Sequence, residues 1–151
     1  MFYGEENERN MNKNVLSKVK KRLIINMPPR HTKSEFASYL LPAWFLGKYP
    51  DKKIIQTAHT AELAVGFGRK VRNLVNSPDY KAIFPDVSLQ SDSKAAGRWN
   101  TNQGGDYFAI GVGGAVTGKG ADLLIIDDPH SEHGIHLVQD SVYSLMVQSL
   151  W

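Results

Sequence analysis

The sequence predicts an α/β fold, a mostly parallel sheet flanked by helices, and three observations carry that prediction. Leu23 to Met27 and Leu123 to Ile126 are short continuous apolar runs, the pattern of strands buried on both faces. Asp106 to Val112 alternates with the two-residue period of a strand. Between these lie longer stretches, Ser34 to Leu46 and Thr60 to Asn76, whose apolar residues recur at helical spacing. Strands separated by helices call for crossover connections, and crossovers make neighbouring strands parallel.

Taken in order, residues 1–21 form a polar and basic segment, with Val15, Leu16 and Val19 among lysines at the spacing of a short amphipathic helix. The first strand ends at Pro28-Pro29, which cannot continue a hydrogen-bonded ladder. In the next helix Phe36, Ala37, Leu40, Leu41 and Trp44 make the apolar stripe, and Pro42 must kink or end it. A turn leads to a strand at Lys53 to Ala58. The following helix carries Leu63, Ala64, Phe67, Val71 and Leu74 on one face, with Arg69, Lys70 and Arg72 off it. Ser77 to Asn102 reads as irregular. Glycines from Gly113 to Gly120 separate the last two strands, and Val138, Val142, Leu145 and Val147 to Leu150 suggest a short apolar helix.

Composition narrows the function classes. The 151 residues make one domain at most, and 42% hydrophobic with 22% charged residues excludes a disordered chain. The absence of cysteine excludes disulfides and thiolate zinc sites and fits an intracellular setting. No apolar run is long enough for a membrane span. The net charge is +3, with Lys13, Lys18, Lys20, Lys21 and Arg22 clustered before the first strand. Such a cluster either meets a phosphate backbone or is a solvated helix face.

Two constellations carry chemistry. Met27-Pro28-Pro29-Arg30-His31-Thr32-Lys33-Ser34 lies between a strand and a helix, with Lys33 and Ser34 where a phosphate-binding loop keeps its lysine and hydroxyl. Both glycines of that pattern are replaced, by Met27 and Thr32, and a basic proline-rich turn is the plainer reading. Leu123-Leu124-Ile125-Ile126-Asp127-Asp128 is an apolar strand ending in paired carboxylates. In a P-loop ATPase such a strand lies beside the first one, and its acids face the magnesium and the attacking water. A solvated turn at Asp128-Pro129 is the alternative. Open α/β sheets bind ligands where the strands' carboxyl ends meet, so the two motifs in this order reinforce each other. The reading requires the Lys33 ammonium and the Asp127 carboxylate to face each other across a gap sized for a magnesium triphosphate.

The stretch from Met27 to Glu35 resembles the divergent Walker A loop of large terminase subunits of tailed bacteriophages. Gly113-Gly114-Ala115-Val116-Thr117-Gly118-Lys119-Gly120-Ala121-Asp122, running into Asp127-Asp128-Pro129-His130, is similar to that family's segment through Walker B. Gln56 to Ala64 sits where the family has its second strand and the turn into a helix. The resemblance covers about residues 22–132, expected to be a P-loop ATPase core, while 133–151 reads as a divergent tail.

The resemblance implies an ATPase of a viral packaging motor that drives double-stranded DNA into a procapsid, using ATP and Mg2+. It implies a nucleotide loop of Pro29, Arg30, His31, Thr32, Lys33 and Ser34, with Lys33 on the outer phosphates. Ser34 and Asp127 would hold the metal, Asp128 would activate water, and Arg30 would stabilise the transferring phosphoryl group. A homo-oligomeric ring, the portal and the small terminase subunit are the implied partners, in the cytoplasm of an infected bacterial host. Arg69, Arg72 and Arg98 are candidates for an arginine donated between subunits. No nuclease segment follows residue 132, so a truncated or frame-shifted piece is expected, with weak ATP binding. A helicase-like ATPase, or a non-catalytic remnant binding nucleic acid or phosphate through Lys18, Lys20, Lys21, Arg22 and Lys33, are the competing readings.

Overall fold

The computed structural model describes residues 22–27, 30–93, 95–115 and 118–129, and the backbone of 143–149. In chain order the elements are β1 (Arg22–Met27), a π-helical segment (Glu35–Leu40) running into α1 (Leu41–Lys48), β2 (Lys53–Ala58) and α2 (Ala61–Val75). There follow α3 (Pro78–Ile83), β3 (Arg98–Asn100), β4 (Asp106–Gly111), β5 (Leu123–Asp127) and β6 (Tyr143–Ser149). The strands form one sheet in the order β1-β6-β5-β2-β4-β3. β2 is parallel to both β4 and β5, while β6 is antiparallel to β1 and β5, and β3 to β4. Thus β1, β5, β2 and β4 run one way and bring their carboxyl ends to one edge of a mixed α/β sheet.

Period-two alternation sorts the side chains of the central strands. Ile54, Gln56 and Ala58 of β2 are buried, as are Tyr107 and Ala109 of β4 and Leu123 and Ile125 of β5. The register Gln56 to Ile125 and Gln56 to Ala109 puts all of them on one face. α2 lies against that face. Its buried stripe is Ala64, Gly68, Val71 and Val75, whereas Leu63 of the expected stripe is exposed. Gly68 leaves room: a Cβ there would stand 2.6 Å from the Ala96 carbonyl and 3.1 Å from the Tyr107 ring. Thr60 caps α2 by accepting the Leu63 N–H at 3.2 Å.

The steps from β1 to β2 and from β2 to β4 go the same way across the sheet, and the step from β4 to β5 goes back. A right-handed return must therefore use the opposite face. The described part of the glycine-rich connection lies on that face and holds no helix. Lys119 Nζ lies 3.7 Å from the ring centroid of Phe108, which points away from α2, and a Cβ on Gly114 would collide with Ile110 on the same side.

Several expectations are corrected. β1 is half-exposed rather than buried on both faces: its residues alternate, Leu23 and Ile25 packing against the core while Ile24 is 60% exposed. The reason is position, since β1 has no strand on its outer side among the described residues. Pro42 does not end the helical run. The chain is π-helical up to Leu40 and α-helical from Leu41, so the proline sits in the first turn of α1, where a missing N–H is tolerated. The irregular stretch contains α3 and β3. Ser77 accepts the Tyr80 N–H at 3.2 Å and Pro78 starts α3, a helix-start signal present in the sequence. The expected apolar helix near the end is instead strand β6 over Tyr143–Ser149. The basic segment 1–21 with its amphipathic helix, and residues 130–142, lie outside the described residues.

Candidate functional site

The two motifs meet at the shared edge. The strand carrying Asp127 does not lie beside β1, because β6 stands between them, yet β1 and β5 point the same way and end together. After β1 the loop turns sharply, with Arg30 at φ 63° and Thr32 at φ 60°. Thr32 therefore occupies the left-handed conformation that the missing glycine would adopt without steric cost. Its carbonyl accepts the Phe36 N–H at 3.1 Å, which starts the helix and places Lys33 and Ser34 in the first turn.

From that turn Lys33 reaches back across the edge and is only 8% exposed. Its ammonium lies 2.5 Å from Asp128 Oδ1 and 3.8 Å from Asp127 Oδ1. The expected triphosphate-sized gap is thus closed by a direct ion pair. Asp128 itself sits at φ 40° immediately before Pro129, a strained conformation at the tip of β5.

Asp127 is 2% exposed. Its Oδ2 accepts a hydrogen bond from Ser38 Oγ at 2.7 Å, while Oδ1 has no hydrogen-bond partner. Burial pushes its carboxyl above the ordinary value. The Ser38 and Ser34 hydroxyls pull it down, the charge of Asp128 raises it, and Lys33 lowers it, with burial prevailing. Behind Ser38 runs a chain of buried polar groups. Gln56 Nε2 donates to the Ser38 carbonyl at 3.0 Å, and Tyr107 Oη donates to Gln56 Oε1 at 2.5 Å. Trp99 stacks on Tyr107 with centroids 4.8 Å apart and donates to the Gly68 carbonyl at 3.2 Å.

Lys33, Ser34, Asp127 and Asp128 are therefore brought together. Arg30, His31 and Thr32 form an exposed rim, and Arg30 makes no ion pair with either aspartate. Pro29 lies outside the described residues. Trp99 is fully buried in β3 and presents no face to the surface. Arg69 is exposed, Arg72 donates to Asn73 at 3.3 Å, and Arg98 pairs with Asp106 at 3.6 Å.

Sequence reasoning missed Ser38, Gln56 and Tyr107. The available signals were Ser34 and Ser38 four apart on one helix, hence on one face, and an amide at the centre of an apolar strand.

The orphaned, buried Asp127 Oδ1 is a fit for a magnesium ion. Among the described residues no group of three His, Cys, Asp or Glu side chains could hold a metal alone. A magnesium ion at this oxygen would take one carboxylate and a hydroxyl from the protein and complete its shell with phosphate and water. Also among the described residues, no helix is long and apolar enough to cross a membrane. Comparison with family models, with curated proteins and with solved structures returned no match to this chain.

Proposed function

We propose that this chain is a P-loop ATPase module that binds magnesium ATP at the shared strand edge and works in a viral DNA-packaging motor of the terminase type. The observation that supports the ATP site is the convergence of Lys33, at the head of the helix after β1, with Asp127 and Asp128 at the end of β5. A lysine and two aspartates distant in sequence are held within one ion-pair cluster at the edge where parallel sheets bind ligands.

In this reading Lys33 exchanges Asp128 for the outer phosphates of the nucleotide. Ser34 and Asp127 hold Mg2+, which supplies charge neutralisation to the phosphates when bound. Asp128, released from the lysine, becomes an acceptor for the proton of an attacking water. The exposed guanidinium of Arg30 stands on the loop rim, where it can approach a bound phosphate. The packaging role, the double-stranded DNA, the ring and its portal rest on the motif resemblance.

The test is calorimetric titration of the 151-residue chain with magnesium ATP, for the wild type and Lys33→Ala. Saturable binding that weakens at least about tenfold in the variant supports the site, since charge-assisted contacts to phosphate are worth about 1.5–3 kcal/mol. Equal binding by both proteins would refute it. Salt-dependent DNA binding with no nucleotide binding would favour the phosphate-binding remnant instead.

A further inference from the structure

Asp127 presents two oxygens to two different surroundings. Oδ2 is held by a buried hydroxyl, and Oδ1 is buried with no hydrogen-bond partner on the side where Lys33 stands 3.8 Å away. We propose that Ser38 is a positioning residue that fixes the Asp127 carboxylate so that Oδ1 alone faces the cation, with Gln56 and Tyr107 locking Ser38 in place. The proposal rests on the reading of this edge as a magnesium–nucleotide site and adds to it the residues that aim the metal ligand.

The lock has a cause in the sequence. In an α-helix the carbonyl of Ser38 would accept from the N–H four residues on, but that residue is Pro42, which has none. The π-helical turn before it shifts the pattern further, the Leu41 N–H reaching the Phe36 carbonyl. The Ser38 carbonyl is taken instead by Gln56 Nε2 at 3.0 Å, and the other end of that amide is fixed by the Tyr107 hydroxyl. Ser38, Gln56 and Tyr107 are each fully buried, so no water competes for these groups. A hydroxyl bonded in this way leaves the carboxylate one orientation. A free carboxylate would rotate and offer either oxygen, or both, to the cation. Partners that orient a metal ligand commonly change metal affinity by about 10- to 100-fold when removed.

The experiment is titration of the 151-residue chain with ATP in Mg2+ and again in EDTA, for the wild type, Ser38→Ala and Tyr107→Phe. The readout is the ratio of the two affinities. In the wild type Mg2+ tightens binding. Ser38→Ala is expected to cut that ratio by about tenfold while the affinity in EDTA stays near the wild-type value. Tyr107→Phe, which removes one oxygen and no packing, is expected to cut it less, and it decides the matter if Ser38→Ala does not fold. Variants that both keep the wild-type ratio overturn the proposal. So does a Ser38→Ala protein that loses affinity equally in Mg2+ and EDTA, which is the signature of a purely structural role. A wild-type chain indifferent to Mg2+ defeats the underlying metal site before any variant is compared, and the proposal falls with it.

Discussion

The two sides of the sheet contribute to the site in opposite ways. On the β5–β2–β4 side every inward residue is buried under helices, and the carboxylate of Asp127 is gripped by a hydrogen-bonded chain extending to Tyr107. On the β1 side the strand is half-exposed, and the loop that follows carries two non-glycine residues in the left-handed region. Asp127 sits on a desolvated platform, whereas the lysine and serine follow a strained turn. A site divided in this way holds the Asp127 carboxylate still and leaves the loop after β1 as the part that can adjust. Loops drawn from the less stable part of a fold commonly serve binding in this manner.

The sharpest way to break that contrast is to cut into the rigid side. Trp99 is fully buried and stacked on Tyr107. Trp99→Ala should cost about 3–5 kcal/mol in urea unfolding, the usual loss for emptying an aromatic site. A cost under about 1 kcal/mol would mean that the β3–β4 side is not the packed platform described.

A second test reads the desolvation of Asp127 through pH, with EDTA present throughout. The folded carboxyl lies above its ordinary value of 3.8. At lower pH it is protonated in both folded and unfolded chains and imposes no ionisation cost. As pH rises above that value, the unfolded chain gives up this proton first and the folded chain retains it. Stability from this group therefore falls until the folded carboxyl has ionised too. Asparagine never ionises. The melting temperature of Asp127→Asn minus that of the wild type should increase with pH across this window. A difference that is flat, or that shrinks with pH, contradicts the buried carboxylate.

The same division explains what could be read from the sequence. α2 and β4 were legible because each has one face buried, which imposes a period, and because Thr60 marks a helix start; β5 was legible as a short continuous apolar run. Lys33 was legible as the head of the helix after the first strand, and Asp127 as the end of a strand. β6 was not: a short apolar run such as Leu145-Met146-Val147 suits helix or strand equally. Its strand state depends on β1 and β5, partners remote in sequence. For the same reason β1 looked like a central strand, since nothing local in Leu23 to Met27 says that one side stays open. The Ser38–Gln56–Tyr107 chain joins three separate elements, so each member taken singly resembled an ordinary polar residue.

The strain on the loop side predicts a gain. Thr32 at φ 60° bears the penalty of a side chain in the left-handed region, about 1–2 kcal/mol, against the roughly 0.5–1 kcal/mol of extra chain entropy that glycine loses on folding. Thr32→Gly should therefore stabilise the chain by up to about 1 kcal/mol in urea unfolding. If it destabilises, the left-handed turn before Lys33 is not the conformation the protein adopts.

The smallest expected effect tests the openness of β1. Ile24 is 60% exposed, on the side of the strand away from the helices, and little apolar area is lost by shortening it. Ile24→Thr keeps a β-branched residue in the strand, so its backbone preference is retained. The change should lie within about 0.5 kcal/mol, the ordinary range for an exposed position. The paired measurement is Ile25→Thr on the inward side, which puts a hydroxyl against the core and should cost clearly more. Equal costs at the two neighbours would show that both faces of β1 are covered, and the contrast between a gripped acid platform and an open, adjustable loop side would be lost.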